Sequence, residues 1–249
     1  MRRVLAATVT ALFALVGDAR APASAGDVRT TPSPVAQSTA PAPGAPAPVY
    51  KPPPRGAPGG RMGGGTRGIS GAAVVSILAP DHVGLTMQEQ PSLHWFVTQD
   101  VSSPLEITLI EPDRTPPLLE HRLALPVRAG IYRLRLADHG VRLKPGVRYQ
   151  WSVAVVTDPE RRSRDLVAAA LLERTDVAES LRQQIGRASP AELPALYAEA
   201  GLWYDALTAL SDRIEAAPRD RTLHRQRAAL LQQVGLRDAA DFDLRATGD

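Results

Sequence analysis

Apolar and polar residues alternate along residues 147–155, and this pattern predicts a β-strand. The apolar positions on one face are Val147, Tyr149, Trp151, Val153 and Val155. Lys144-Pro145-Gly146 just before the strand predicts a turn, because Pro fixes φ and Gly permits a positive φ. The Leu-x-Pro-Gly-x-x-Tyr lead-in is typical of a tyrosine corner, in which a Tyr near the start of the sixth sandwich strand bonds back to upstream backbone.

Seven short strands, separated by breaks rich in Pro, Gly and Asp, are predicted between residues 69 and 174. They are Ala73–Leu78, Ser92–Val97, Leu105–Glu111, Leu118–Leu123, Ile131–Leu136, Val147–Val156 and Asp165–Arg174. This spacing favours an antiparallel β-sandwich. Since the chain has no Cys pair, it is closer to a fibronectin-type-III-like module than to an antibody domain. Trp95, Tyr149 and Trp151 are predicted to lie in the core.

After residue 175 the apolar period becomes helical. The predicted helices are Val177–Ile185, 189–200, Trp203–Ala216, Arg221–Val234 and a short one from Arg237. Ser189 and Glu192 have the spacing of a capping box. Tyr197 and Trp203 are predicted to lie in the core rather than to contact a ligand, because aromatic residues at helical spacing usually pack.

The helical region contains an internal repeat. Three pairs of residues are 34 positions apart: Gly201 and Gly235, Leu202 and Leu236, and Ala206 and Ala240. That spacing is the tetratricopeptide period, and the pattern resembles tetratricopeptide helices. The second copy is degraded, with Arg227 in place of Leu193. One and a half repeats are too few to form an independent array. We therefore expect them to pack on the sandwich or on another chain.

The N-terminal residues predict export. Residues 1–25 resemble a signal peptide: Arg2-Arg3, an apolar run over 4–16 that is too short to span a bilayer, and a cleavage site between Ala25 and Gly26. Residues 26–68 are rich in Pro, Ala and Gly and predict a disordered linker. We therefore expect a periplasmic or extracellular protein, not transmembrane after cleavage, with a sandwich over 69–174 and a helical unit over 175–249.

Composition narrows the classes of partner. The chain has no Cys, which excludes disulfides and thiolate chemistry. Its net charge is +3, but residues 1–68 carry eight basic and two acidic side chains, so the remaining 181 residues have a net charge of −3. A mildly acidic folded part does not resemble a nucleic-acid-binding protein, which needs a basic face.

The densest charged cluster is a predicted loop between the last two strands. Its members are Asp158, Glu160, Arg161, Arg162, Arg164 and Asp165. The carboxylates could bind Ca²⁺, but three Arg side chains argue against this, because they would pair with the carboxylates. The alternative is a solvated, internally paired turn. Because loops at the end of a sandwich often carry binding sites, this loop is the first candidate for a contact site.

No catalytic, cofactor or metal site is predicted. His82, His94, His121, His139 and His224 are scattered and lack the spacing of a helical zinc site. His94 faces away from Leu93 and Trp95, which predicts a surface or sheet-edge position. No serine has the Gly-x-Ser-x-Gly setting of a hydrolase. The carboxylates available for a glycosidase pair are Glu106, Glu111, Glu120 and Asp138, and nothing in the sequence pairs two of them.

Several short motifs, taken in this order, resemble those of a family of secreted bacterial proteins that is common in cyanobacteria. The family is defined by a domain of unknown function, number nine-two-eight. The motifs are Tyr50-Lys-Pro-Pro, Gly63-Gly-Gly-Thr-Arg-Gly68, Gly84-Leu-Thr, Gln90-Pro-Ser-Leu-His-Trp-Phe-Val97, Tyr149-Gln-Trp-Ser152, Asp158-Pro-Glu-Arg161 and Leu202-Trp-Tyr-Asp-Ala206. The resemblance covers residues 50–245. It implies an exported protein of this architecture and no particular activity.

Two functions are compatible with these features. The first is a non-enzymatic adaptor or scaffold that binds an envelope protein, since both predicted modules are of kinds that bind through loops or grooves. The alternative is a cell-wall or carbohydrate-binding module, with or without weak hydrolase activity. The second function requires exposed aromatic side chains, so the exposure of the three Trp residues discriminates between the two.

Overall fold

The computed structural model describes residues 47–54, 61–62, 74–112 and 114–245. Within these residues, nine strands lie before residue 175. They are β1 (Arg61–Met62), β2 (Val75–Ile77), β3 (Gly84–Thr86), β4 (Ser92–Val97), β5 (Leu105–Ile110), β6 (Leu119–Arg122), β7 (Gly130–Arg135), β8 (Arg148–Val155) and β9 (Leu166–Arg174). The seven predicted strands are all present, displaced at their ends by no more than two residues, and β4 has the predicted bounds. The predicted start of β2, Ala73, lies outside the described residues.

The strands form two sheets. The larger has the order β1-β9-β8-β5-β6, and β3 joins it by pairing in parallel with β9. The smaller has the order β2-β4-β7. The outer edge of β9 is shared by β1 at residues 169–170 and by β3 at residues 172–174. These short strands cover an edge that would otherwise expose unpaired backbone groups.

The alternation along β8 produces the predicted inward face. Tyr149, Trp151, Val153 and Val155 are all buried, and Trp151 lies between Leu109 of β5 and Ala170 of β9. The predicted tyrosine corner is confirmed: the Lys144 N–H donates to the Tyr149 hydroxyl at 3.0 Å. Gly146 in the preceding turn has a φ of +72°. The five residues predicted to lie in the core have exposed fractions between 0 and 8%.

In the described chain up to residue 245, five helices follow the strands. They are α1 (Glu179–Arg187), α2 (Leu193–Glu199), α3 (Trp203–Ala216), α4 (Arg221–Gln233) and α5 (Arg237–Arg245). α3 has the predicted bounds. α2 begins four residues later than predicted, because residues 190–192 form a turn in which the Glu192 N–H donates to the Ser189 carbonyl at 3.0 Å. Half of the predicted capping box is present: the Ser189 N–H donates to the Glu192 carboxylate at 2.8 Å.

The 34-residue repeat is visible in the backbone hydrogen bonds. Gly201 and Gly235 both end a helix with a φ of +75°. Gly201 donates to Ala198 and Leu202 donates to Tyr197; Gly235 donates to Gln232 and Leu236 donates to Leu231, each partner lying 34 positions later. The glycines are required here because a left-handed residue ends the helix at each position.

The helices pack on the outer face of the smaller sheet. All six residues of β4 are buried, since Leu93, Trp95 and Val97 face the larger sheet and the other three face the helices. The Phe96 ring contacts the Phe242 ring of α5 at 5.3 Å. The prediction for His94 was therefore wrong: it points away from the sandwich interior, but the helices cover it. Strand and helix residues share one hydrophobic cluster, so the two parts form one core.

The prediction that residues 26–68 form a disordered linker is wrong for two parts of that range. Within that range residues 47–54 pack along α2 and α4, and residues 61–62 form β1. The Arg61 guanidinium donates to the Ala79 carbonyl at 3.0 Å. The composition predicted disorder because the segment has little apolar surface to bury. In the structure, however, Pro48 and Tyr50 are both buried. The predicted signal peptide and cleavage site lie outside the described residues.

Candidate binding cavity

A cavity of about 500 Å³ opens between the segment after β3 and the helices α2 and α3. The strand side contributes Thr86, Gln88, Gln90 and Ser92, and the helix side contributes Leu193, Tyr197, Asp205 and Thr208. Its size lies in the range of ordinary small-molecule sites. The cavity exists only because the helices pack on the strands, since each part supplies one wall.

Gly84 positions the strand wall. A Cβ atom at this position would lie 2.6 Å from Cε2 of Tyr204, so only glycine allows β3 to approach α3 this closely. β3 then runs parallel to β9 and places Thr86 in a fully buried position. The Thr86 hydroxyl accepts the Gln88 N–H at 3.1 Å, which turns the chain along the cavity.

Asp205 is the unusual group in the cavity wall. It lies in the first turn of α3 with 4% of its surface exposed. Its Oδ2 atom accepts the Met87 N–H at 3.1 Å, whereas its Oδ1 atom has no partner among the described residues. Burial raises the pKa of Asp205 to about 7, although hydrogen bonds from the Met87 N–H and from the side chains of Thr86 and Gln88 oppose the shift. Near neutral pH this carboxyl group is therefore present in both protonation states.

The groups around Asp205 do not supply the paired carboxyl groups of a glycoside hydrolase. Tyr197 lies beside Asp205, and burial together with this carboxylate raises the pKa of the phenol. The second carboxylate in the wall, Asp212, is paired with Arg133 of β7. Glycoside hydrolysis needs two carboxyl groups that face each other across the substrate, and Asp212 is committed to an ion pair. What remains is a mostly apolar cavity with a few polar groups, the usual composition of a ligand site.

The predicted contact loop lies elsewhere, and none of its residues lines this cavity. Arg162 donates to Glu106 of β5 at 2.5 Å and pairs with Asp165 at 2.8 Å. Asp158 accepts the Glu160 N–H at 3.0 Å, and Arg161 lies 3.9 Å from Asp158. The side chains of Glu160, Arg161 and Arg164 are exposed. Hydrogen bonds from Arg162 and Arg122 hold the pKa of Glu106 down to about 2.

The histidines have separate roles in the packing. His82 contacts Tyr50, His94 is buried under the helices, and the rings of His121 and His139 lie 4.8 Å apart, a contact that sequence spacing did not indicate. In the part of the chain that the structure describes, no group of three His, Cys, Asp or Glu side chains could hold a metal ion.

Arg227, the position at which the repeat is degraded, is part of a buried polar cluster between α3, α4 and α5. Its guanidinium donates to both carboxylate oxygens of Asp243, at 2.6 and 2.7 Å, and to the Ser211 hydroxyl at 3.2 Å. His224 lies 2.9 Å from Asp243, but its other ring nitrogen lies 3.0 Å from the Pro218 carbonyl. Ser211 is thus bonded to Arg227 and not to His224, and these residues do not form a nucleophilic triad.

Sequence reasoning did not identify Asp205. The available signal was a single acidic residue on an otherwise apolar stretch of α3, between Tyr204 and Ala206, both of which are fully buried. An acidic side chain inside a buried helix face is costly unless it is paired or protonated, so it can indicate a functional position. The contact with β3 that completes the cavity has no local signal.

Comparison with known proteins identifies a family but no function. A family model described as "Domain of Unknown Function (DUF928)" matches residues 62–244. No curated protein matches the chain. Among solved structures, a multi-domain immunophilin from Arabidopsis thaliana is 7% identical, with 66% of this chain and 98% of that chain covered and a TM-score of 0.18, too low to support any argument. No helix within the described residues is long and apolar enough to cross a membrane.

Proposed function

From the premise that this chain belongs to the DUF928 family, we propose that it is an exported, non-enzymatic binding protein, an adaptor or scaffold of the cell envelope. Its ligand site is the cavity beside Asp205. One observation carries this proposal: two sequence segments about 100 residues apart, 86–92 and 190–216, build one concave site. It contains a buried carboxyl group, one oxygen of which has no hydrogen-bond partner among the described residues.

The architecture supports a binding role. The first, second and fifth of the seven predicted strands form one sheet, and the third, fourth, sixth and seventh form the other. This division differs from that of antibody constant domains only in the sheet to which the fourth strand belongs, which favours an immunoglobulin-like or fibronectin-type-III-like sandwich. The repeated hydrogen bonds at Gly201 and Gly235 favour a tetratricopeptide-like helical unit. Both classes bind through loops and grooves.

Export and an envelope partner rest on the N-terminal pattern, with its basic start, short apolar run and small-residue site at Ala25 and Gly26. The carbohydrate-binding alternative is weaker, because the exposed fractions of Trp95, Trp151 and Trp203 are 1%, 0% and 0%. A sugar platform built on Trp would need at least one exposed ring.

The test compares the mature chain with a variant that fills the cavity. Ala209 lines the cavity and is half-buried, so Ala209→Trp should block it. Ala195→Trp is the matched control, because Ala195 is exposed on α2 and lies outside this cavity. Each immobilised chain is incubated with an envelope fraction, and retained proteins, glycans and small molecules are identified separately. Thermal unfolding of each variant checks that the fold is intact.

We expect at least one component to be retained by the wild type and by Ala195→Trp and to be lost with Ala209→Trp. Identical retention by all three chains would rule out the cavity as the ligand site. Asp205→Asn provides a second variant with almost unchanged volume. If the wild type turned over an envelope substrate and Asp205→Asn abolished that turnover, the protein would be an enzyme and the non-enzymatic proposal would be wrong.

A further inference from the structure

Residues 47–54 lie extended along the C-terminal ends of α2 and α4. Their burial alternates: Pro48 and Tyr50 are buried, whereas Val49 and Lys51 are exposed. Four of the eight residues are Pro, which favours an extended conformation without internal hydrogen bonds. The segment therefore packs on the helices in the way that a bound peptide would.

The helices bind the backbone of this segment. The Gln233 side chain forms two of the bonds: its Oε1 accepts the Tyr50 N–H at 2.8 Å, and its Nε2 donates to the Pro48 carbonyl at 2.9 Å. The Lys51 N–H donates to the Ala198 carbonyl at 3.0 Å. Backbone bonds of this kind recognise an extended chain whatever its side chains, so the arrangement is that of a peptide-binding groove.

Two side chains add selectivity. The Tyr50 ring stands edge-on to Trp203 at 5.0 Å and stacks on His82 at 5.9 Å. The Tyr50 hydroxyl lies 2.9 Å from Nε2 of His82, a contact that Phe could not make. Next to it, Nζ of Lys51 lies 2.5 Å from the Glu199 carboxylate. These contacts fit a tyrosine followed by a basic residue.

Pro53 packs directly over a glycine at the end of α2. A Cβ atom at Gly201 would lie 3.0 Å from the Lys51 carbonyl oxygen and 3.3 Å from Cδ of Pro53. Gly201 thus allows the segment to cross the end of α2 in direct contact with the backbone. We call the surface formed by His82, Ala198, Glu199, Gly201, Trp203 and Gln233 the tyrosine groove.

We propose that the tyrosine groove is a recognition site for extended, proline-rich peptides with a Tyr-Lys-Pro core, and that residues 47–54 are its ligand within the same chain. An attached ligand has an effective concentration on the order of millimolar, so a free peptide binds only where the attached segment is weakened. None of the groove residues lines the cavity beside Asp205, so this proposal can fail without affecting the proposed function.

The test uses the full chain and a labelled synthetic peptide with the sequence of residues 46–55. Tyr50→Ala removes the ring of the attached ligand and leaves the groove residues unchanged. We expect this variant to bind the peptide at least about tenfold more tightly than the wild type, because the competing segment is weakened. The double variant Tyr50→Ala, Gln233→Ala should lose that gain in affinity. A peptide with Phe in place of Tyr should lose part of it. Equal affinity for the wild type and Tyr50→Ala, including no binding to either, would overturn the proposal.

A charge reversal keeps the test decisive if Tyr50→Ala unfolds. Lys51 and Glu199 are 61% and 64% exposed, so Glu199→Lys should not disturb the core. This variant repels its own Lys51 and should bind a peptide with Glu at the Lys51 position several-fold more tightly than the unaltered peptide. The wild-type chain should show no such preference. The absence of any change in preference would contradict recognition of the basic residue in this groove.

Discussion

His94 is a buried histidine whose two ring nitrogens have no hydrogen-bond partner within the described part of the chain. It lies on the covered face of β4, opposite Arg133 of β7. Burial, and then the charges of Arg133 and Arg227, lower the pKa of His94 to about 3. The ring is therefore neutral in the folded protein throughout the physiological range.

This lowered pKa predicts an acid-sensitive fold. In the unfolded chain His94 takes up a proton below its ordinary pKa of 6.5, whereas in the folded chain it does so only near 3. The unfolded state thus binds more protons between these values, and stability should fall as the pH drops from about 6.5 toward 3. His94→Leu should reduce the slope of unfolding free energy against pH in this window, as measured by urea titrations. An unchanged slope would show that His94 is not the group responsible.

Asp205 should have the opposite effect. Its pKa is about 7 in the folded state against 3.8 in the unfolded chain, so the folded state binds more protons between these values. The contribution of Asp205 to the free energy of unfolding is greatest below about pH 3.8 and is lost as the pH rises through 7. Asp205→Asn should therefore be more stable than the wild type at pH 8 and similar to it at pH 4. Equal unfolding midpoints for the two chains at pH 8 would contradict the placement of a buried carboxyl group here.

The two helix-ending glycines provide a matched pair of substitutions. Both have a φ of +75°, so Ala at either position should cost about 1–2 kcal/mol from the left-handed backbone. A Cβ at Gly235 meets nothing within 4 Å, whereas one at Gly201 presses on Lys51 and Pro53. We therefore expect Gly201→Ala to be more destabilising in denaturant titrations. Equal losses would mean that residues 47–54 do not pack on α2.

At the scale of elements, the central strand β8 and the helix α3 are joined by a buried hydrogen bond. The Nε1 atom of Trp151 donates to the Tyr204 hydroxyl at 2.9 Å, and both side chains are fully buried. Trp203, the neighbouring residue, donates to the Leu78 carbonyl at 2.9 Å. These two bonds fix the first turn of α3 against the strands, and Asp205 follows immediately.

This junction predicts the sizes of two substitutions. Trp151→Ala should cost about 3–5 kcal/mol, the usual range for a large buried aromatic side chain. Tyr204→Phe leaves the Trp151 N–H without its acceptor in a buried position and should cost about 1–3 kcal/mol. Denaturant titrations measure both losses. A loss below about 0.5 kcal/mol for Tyr204→Phe would mean that water replaces the acceptor and that α3 is less firmly attached.

Elements with a long regular pattern could be predicted from the sequence, and elements that depend on distant contacts could not. β8 and α3 have apolar residues at constant spacing over eight and fourteen residues. β3 has three residues and forms only because Gly84 approaches Tyr204 and β9. The ordering of residues 47–54 likewise depends on Gln233, which is 183 positions away from Tyr50.

The candidate site was predicted less well than the fold. The charged loop around Asp158 is conspicuous in sequence because its charges are neighbours, and it contains ion pairs of the kind that solvated turns form. Asp205 is one acidic residue among apolar ones. Its significance depends on Met87, 118 positions earlier, and on a cavity that exists only in three dimensions.

At the scale of the whole molecule, the helices complete the core that the strands begin. Without them, the outer face of β4 would expose Ser92, His94 and Phe96, all of which are buried. Arg133 and Arg135 of β7 would lose their partners Asp212 and Glu215 on α3. The cavity has strands on one side and helices on the other, and the tyrosine groove brings His82 beside Trp203. We therefore expect the strands and the helices to fold together as one cooperative unit.

Native-state hydrogen exchange can detect joint folding, because peptides from β8 and α3 report separately on the opening of each element. The measurement follows exchange of the intact chain at increasing sub-denaturing urea and extracts an opening free energy for each segment. We predict that Arg148–Val155 and Trp203–Ala216 open with the same free energy, equal to that of global unfolding. If α3 exchanged at a clearly lower free energy while β8 stayed protected, the helices would be a separate unit and the shared walls of the cavity would not be a stable part of the fold.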